Sequence, residues 1–154
     1  MAISKDFQQR LHELADELVG KNKTEKANNI NIDPTSFSRA YNYGIVPKTP
    51  TLIKIADYFN ISIEYLMGIT DVEHFVKSQL PKTFIERLNE LRAEKGIKAN
   101  YALSQQVHIH RNNIRQWYII NCLPLIDDLF ILADYFEVSI DYLLGRTDDR
   151  TPYK

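Results

Sequence analysis

The stretch that decides the fold reads Ala-Asp-Tyr-Phe at 133–136 and Ser-Ile-Asp-Tyr-Leu-Leu-Gly at 139–145, and nearly the same residues stand at 56–59 and 62–68. Sliding the 154-residue chain against itself by 77 residues aligns both segments without a gap and gives 24 identical positions. A fixed internal offset of this kind is typical of one structural unit that is written twice. The chain is therefore predicted to contain two copies of a single small module.

The two copies differ most in one region. Between residues 22–40 and their counterparts at 99–117, only Ile32 and Ile109 are identical. The positions on either side of this region keep a common scaffold, whereas the region itself differs almost everywhere. We therefore expect the two copies to contact different targets.

Size and composition favour two modest folded cores. Apolar residues make up 44% and aromatic residues 11% of the sequence, which is ample for modules of roughly 75 residues that can each fold alone. Every apolar run is short and interrupted by charge, so neither a signal peptide nor a membrane span is predicted. Cys122 is the single cysteine, which excludes an internal disulfide and a cysteine-based metal site. These features favour a soluble cytoplasmic protein without a membrane partner.

The net charge of −1 argues against a strong non-specific polyanion binder. The charges are nevertheless unevenly distributed. Residues 82–115 contain seven bases against three acids, and residues 116–154 contain seven acids against three bases. Residues 1–39 carry six of each. Only the second copy is thus predicted to have a basic N-terminal part, residues 82–115, which we call the basic front.

Apolar spacing predicts helices throughout both copies. Before the first helix of the second copy, Thr83 followed by Glu86 indicates a capping box. Ser62 and Ser139 are predicted N-caps of a short fifth helix in each copy, which a glycine ends at the C′ position (Gly68 and Gly145). The apolar positions of the first, second and fourth helices are Phe7, Leu11, Leu14, Leu18, Ala27, Ile30, Leu52, Ile55, Ala56 and Phe59, with Phe84, Leu88, Leu91, Leu103, Val107, Leu129, Leu132, Ala133 and Phe136 in the second copy.

A third helix follows a tight turn in each copy. Asp33 and Pro34 are predicted as its N-cap and first residue, which places the helix at 34–42 and its counterpart at 111–119. No segment alternates with period two, so no sheet is predicted. The expected fold is all-α, with two tandem five-helix domains at 1–74 and 80–154.

The joint between the copies, 72–82, contains Phe75, Val76 and Leu80. It is too apolar for a flexible linker, and we expect it to pack. The four tyrosines at repeated helical spacing (Tyr58, Tyr65, Tyr135 and Tyr142) are interpreted as core or module-interface residues.

Two helices joined by a tight turn, the second with a polar outer face, form a helix-turn-helix. In the second copy Ile114 turns inward, and arginine, asparagine and glutamine are the side chains that can pair with guanine or adenine edges in the major groove. The predicted outer face is Arg111, Asn112, Asn113, Arg115 and Gln116.

At these residues the chain resembles the phage-repressor-like helix-turn-helix regulators, also described as lambda-Cro-type, lambda-repressor-like or xenobiotic-response-element proteins. The resemblance covers nearly all of both copies and implies five-helix domains that bind operator DNA, usually as two-fold pairs. It is most specific at 132–148. The other residues that carry it are Arg87, Leu88, Glu90, Leu91, Arg92, Glu94, Lys95, Gly96, Ile114, Arg115, Gln116, Trp117 and Leu129.

The resemblance implies DNA-contacting residues in each copy. In the second copy, Arg111, Asn112 and Gln116 would read bases, and His110 would cap the helix near a phosphate. The equivalent positions of the first copy are expected to recognise bases less well. Pro34 offers no hydrogen-bond donor there, and the negative residue Asp33 stands at the helix cap, where a phosphate would lie. The DNA-contact candidates of the first copy are Thr35, Ser36, Ser38, Arg39 and Asn42.

The second copy departs from the family after Trp117, where a polar Glu-Asn-Gly and basic residues are usual. An apolar loop occupies residues 118–126 instead, and its predicted interface residues are Ile119, Ile120, Leu123 and Leu125. Such a loop is costly to expose and suggests a protein contact. Burial of the loop against the first copy would favour an internal pseudo-dimer. Exposure, or burial on a second chain, would favour a homodimer or another protein partner.

No nucleophile with a base, phosphate loop or metal triad is recognised, so we predict neither an enzyme nor a cofactor. His108 and His110 lack an evident third ligand, and no metal site is expected. The function predicted is a sequence-specific DNA-binding transcriptional regulator of repressor-like phage, prophage or mobile-element type. The alternative is a protein-interaction module, such as an antirepressor, inhibitor or assembly factor, in which DNA binding is partly lost.

Overall fold

The computed structural model describes residues 2–152 and is helical. Across these residues there are ten helices and no strand, apart from one isolated antiparallel bridge between Ile3 and Ile45. The prediction of an all-α fold is confirmed at this level. The described residues divide into two compact units, which meet in sequence between Phe75 and Val76. Met1, Tyr153 and Lys154, which fall within the predicted domains, lie outside the described residues.

The first unit contains five helices. Its core is formed where α1 packs on α3 and α5, α2 packs on α3, and α4 packs on α5. Phe7, Phe37 and Leu52 are among its fully buried side chains. The helices are α1 (Lys5–Ala15), α2 (Lys23–Asn29), α3 (Pro34–Tyr43), α4 (Thr49–Phe59) and α5 (Ile63–Leu66).

The second unit also contains five helices, and α10 packs on α6 and α9, while α7 packs on α8 and α9. Leu88, Leu103 and Ile114 are fully buried in its core. The last two helices of this unit begin and end 77 positions after those of the first. The helices are α6 (Phe84–Lys95), α7 (Asn100–Val107), α8 (Arg111–Ile119), α9 (Ile126–Phe136) and α10 (Ile140–Leu143).

The predicted helix N-caps are confirmed. The Asp33 side chain accepts a hydrogen bond from the Ser36 N–H, and Pro34 occupies the first turn of α3. The two hydrogen bonds of the Thr83–Glu86 capping box are both present. The N-cap serines of α5 and α10 are also found. Each of these signals lies within four residues of sequence, which is why local chemistry alone locates the helix ends.

Two predictions about apolar residues are wrong, and a third is confirmed only in part. Leu18 is buried but lies beyond α1, which ends at Ala15. Acidic Asp16 and Glu17 follow this end, where the helix dipole favours cations, whereas α6 carries basic residues in its last turn and runs further. Tyr58 is exposed rather than in the core. In the joint, Phe75 is buried, but Val76 and Leu80 are exposed, so the joint packs only in part.

Candidate nucleic-acid interface

The turn between α7 and α8 is held by both its backbone and its side chains. His108 ends α7 in the left-handed region with φ of 58°. Ile109 then inserts into the core, and the Ser104 hydroxyl donates to the Ile109 carbonyl at 2.6 Å. His110 is the N-cap of α8, as predicted, and its Nδ1 accepts from the Asn112 N–H at 3.1 Å. The turn therefore fixes where α8 begins relative to α7.

Helix α8 has one buried face and one exposed polar face. Ile114 and Trp117 are buried, and the Trp117 ring packs edge-to-face on Phe84 with 5.6 Å between centroids. This anchoring turns the opposite face of α8 outward, as the sequence predicts. The exposed residues are Arg111, Asn112, Asn113, Arg115 and Gln116.

The side chains of this polar face are not bonded to other residues of the described part of the chain. None of the five makes a side-chain hydrogen bond or an ion pair with any residue among 2–152. The guanidinium groups of Arg111 and Arg115 therefore have no acidic partner among residues 2–152, and their N–H donors are available to an external partner. Arginine and side-chain amides in this state can form the paired hydrogen bonds that base edges accept.

On the equivalent face of α3 in the first unit, most of the candidate side chains make hydrogen bonds within the same unit. The Asp33 carboxylate accepts from the Ser36 hydroxyl at 3.1 Å. Asn42 donates to the Ser38 hydroxyl oxygen at 3.2 Å and accepts from Lys23 Nζ at 2.7 Å. Three of the five candidates in this copy thus have internal partners. The other two, Thr35 and Arg39, are exposed and make no such bond with the described residues.

Ion pairs reduce the number of unpaired basic residues in the basic front, residues 82–115, that is predicted for the second copy. Lys82 pairs with Glu90, and Arg87 lies 3.6 Å from Glu90 and 3.3 Å from Asp148. These two bases are therefore largely neutralised within the unit. Lys98, which precedes α7, and Arg111 and Arg115 on α8 make no ion pair among residues 2–152.

The predicted loop 118–126 is apolar, and three of its aliphatic residues are exposed. Its ends are helical, because α8 runs to Ile119 and α9 begins at Ile126, so the predicted bounds are too wide. Ile119, Ile120 and Leu125 have 62%, 63% and 57% of their surface accessible, and Leu123 is half-buried. At the start of α9, burial, with the neighbouring Asp127 as a secondary cause, raises the pKa of the Asp128 carboxyl. The loop thus combines exposed aliphatic side chains with an acidic edge.

Sequence reasoning missed a repeated aromatic–cation contact in each unit. The Arg10 guanidinium lies 3.8 Å from the centre of the Tyr65 ring, and Arg87 lies 3.9 Å from that of Tyr142. Tyr65 and Tyr142 are buried, in keeping with the core interpretation. The signal that was available is that each arginine and each tyrosine is identical between the copies at the 77-residue offset.

No metal-binding group and no membrane span is found among residues 2–152. No cluster of three or more histidine, cysteine or acidic side chains is placed to hold an ion there. No helix in this part of the chain has the length and apolar character needed to cross a bilayer. Cys122 is a half-buried free thiol.

Comparison with known proteins gives one informative similarity. The chain is 32% identical over 69 residues to a protein of Bacillus subtilis (strain 168) named uncharacterized HTH-type transcriptional regulator YobD. The similarity covers 45% of this chain and 61% of that protein, so the chain spans about three-fifths of the relative's length. No family model matches the chain, and no solved structure matches it.

Proposed function

We propose that this protein is a sequence-specific DNA-binding transcriptional regulator, repressor-like and of phage or mobile-element type, built from tandem helix-turn-helix domains. The observation that carries the proposal is the outward face of α8, whose five polar side chains have no partner among residues 2–152. The similarity to a protein named as an HTH-type transcriptional regulator supports it.

In this proposal α8 enters the major groove. Arg111, Asn112 and Gln116 contact base edges, because their paired donors and acceptors match guanine and adenine. Asn113 and Arg115 lie beside them on the same exposed face, and His110 stands at the helix start near a phosphate. The contribution of the first copy comes mainly from Thr35 and Arg39.

Selection of bound duplexes from a random pool, followed by gel shift, tests the proposal. Because the reading helices of the two copies share almost no residues, one chain that uses both copies is expected to select an asymmetric site. Recovery of a perfect palindrome would show instead that two chains present the same copy. Absence of any enriched sequence would contradict sequence-specific binding altogether.

A second candidate function, protein interaction through the loop 118–126, is favoured by its exposed isoleucines. The partner proposed is a second copy of this chain. Arg115 on α8 and Asp127 with Asp128 on α9 flank the apolar loop in sequence, so a two-fold pairing can set unlike charges opposite each other around an apolar centre. A homodimer of this kind would also bring two reading units to one operator.

Substitution in the loop tests this second candidate. Ile120→Asp and Leu125→Asp are expected to lower the mass seen by sedimentation toward that of one chain, because each buried aliphatic side chain contributes roughly 1.5–3 kcal/mol to such a contact. Helical content measured by circular dichroism should change little, since both side chains are exposed. Val19→Asp, at an exposed apolar residue outside the loop, is the matched control. An unchanged mass in the loop variants would contradict the dimer.

A further inference from the structure

A pocket in the second unit lies beside the turn from α6 to α7. Its volume is about 480 Å³, within the range of roughly 300–1,000 Å³ that small-molecule sites occupy. Two of its lining residues are cationic and none is acidic. Its lining includes Asn89, Arg92, Gly96, Lys98, Asn100 and Tyr118.

Arg92 is buried in the wall of this pocket, with 6% of its surface exposed. Its guanidinium makes only neutral hydrogen bonds. Nη1 donates to Asn100 Oδ1 at 2.8 Å and to the Tyr118 hydroxyl at 3.0 Å, Nη2 to the Lys98 carbonyl at 2.9 Å, and Nε to the Ile97 carbonyl at 3.4 Å. These bonds fix the side chain and hold the turn, but none of them supplies a negative charge.

Among the three buried arginines of the described residues, Arg92 is the exception. Arg87 pairs with Asp148, and Arg146 pairs with Asp141. Arg92 makes no ion pair with any residue among 2–152. Burial of a charge is costly unless an opposite charge compensates it. The uncompensated charge in a pocket wall therefore points to an anionic occupant.

The remaining polar groups of the pocket are donors. Asn89 Oδ1 accepts from the Tyr118 hydroxyl at 2.8 Å, and Asn100 Oδ1 accepts from Arg92. Because the amide oxygens are used internally, the amide NH₂ groups of both residues remain as donors without a partner among residues 2–152. The Lys98 ammonium has no such partner either. A site that has positive charge and unused hydrogen-bond donors, and no acidic residue in its lining, suits a phosphate group.

The first unit provides an internal comparison. At the 77-residue offset, Ala15 stands in place of Arg92 and Asp16 in place of Ala93. Lys23, in place of Asn100, is bonded to Asn42. Tyr41 is retained at the Tyr118 position, but the ring of His12 stacks on it at 3.8 Å. The first unit thus keeps the tyrosine and lacks both the buried cation and the spare donors.

We propose that the pocket formed by Arg92, Lys98, Asn89 and Asn100 binds a phosphate group. The group belongs either to a free phosphorylated small molecule or to the backbone of bound DNA. A free ligand would make the second unit a sensor as well as a reader, since the pocket adjoins the start of α7, the helix that precedes the reading helix α8.

The test uses the full chain, labelled for NMR and titrated with inorganic phosphate and with adenosine 5′-monophosphate at constant ionic strength. The amide resonances of Gly96, Ile97 and Lys98 are expected to shift and saturate. Those of Val19, Gly20 and Lys21, their counterparts in the first unit, are expected to stay in place. Equal shifts in both loops, or shifts that do not saturate, would mean non-specific screening and would overturn binding of a free ligand.

Matched variants separate charge from folding. Lys98→Gln leaves the hydrogen bonds of Arg92 intact and is expected to weaken binding of the phosphate probes by about five- to tenfold. Lys21→Gln, its counterpart, is expected to leave binding unchanged. Arg92→Ala should abolish binding, but it also removes the bonds that hold the turn, so Lys98→Gln is the deciding variant.

A DNA arm distinguishes the two sources. If the free phosphate probes do not bind but a selected duplex shifts the same amides, and Lys98→Gln lowers the salt dependence of DNA binding by about one ion, the phosphate is that of DNA. If neither the free probes nor DNA reaches these amides, the proposal is wrong. The free-phosphate arm does not depend on the proposed DNA binding, so failure of one does not imply failure of the other.

Discussion

Replacement of Gly145 by alanine is expected to destabilise the second unit by about 2–5 kcal/mol, because two costs combine. Gly145 has φ of 76°, a left-handed conformation that an L side chain adopts with strain. A Cβ built there would also lie 1.7 Å from the Lys82 carbonyl oxygen, which is backbone and cannot swing away. The chain must shift between the end of α10 and the start of α6 to admit even one methyl group.

Gly96→Ala is the matched control. Gly96 has nearly the same backbone conformation, with φ of 69°, but a Cβ built there meets nothing within 4 Å. Its substitution should cost only the conformational strain, about 1–2 kcal/mol. Urea unfolding followed by fluorescence measures both, because Trp117 is the single tryptophan and lies in the core of this unit. Equal losses in the two variants would show that the contact with Lys82 does not matter.

Local sequence signals located the helices well. The predicted counterpart helix at 111–119 has the bounds of α8, and the predicted 34–42 differs from α3 by one residue. Asp33 with Pro34 and Thr83 with Glu86 are sufficient because a cap depends only on residues within one turn. The same holds for Gly145, whose place after α10 is set by the left-handed conformation that helix ends require.

Contacts between distant residues could not be predicted in this way. The pairing of Arg87 with Asp148 joins residues 61 positions apart, and it removes a charge that the sequence assigned to the basic front. The bond from Lys23 to Asn42 likewise occupies a predicted DNA-contacting side chain. Composition gives the number of charges and hydrogen-bond donors, whereas the fold determines which of them are paired with other residues of the chain. That Arg92 makes no ion pair among residues 2–152 likewise depends on where the fold places the acidic side chains, which sequence spacing does not give.

Helices α3 and α8 differ in how many polar side chains remain available to an external partner. In the first unit, Ser38 and Asn42 of α3 and the N-cap Asp33 make hydrogen bonds within the unit. In α8, Arg111 and Gln116 make no such bonds among the described residues. A side chain that must first break an internal hydrogen bond gains less from a new one, because the net exchange is small. Affinity for DNA is therefore expected to come chiefly from the second copy.

The double substitution Arg111→Ala and Gln116→Ala is expected to weaken binding to the selected DNA site by roughly 2–6 kcal/mol, since each paired base contact contributes about 1–3 kcal/mol. At the lower end this is about a thirtyfold rise in Kd. Thr35→Ala with Arg39→Ala, at the equivalent positions of the first copy, should raise Kd only a few-fold. Gel shifts at one fixed salt concentration measure both, and unchanged helical content by circular dichroism shows that both variants remain folded. An equal or larger loss in the first-copy variant would contradict dominance of the second copy. It would show that the internal hydrogen bonds of the α3 side chains do not weaken DNA binding by the first copy.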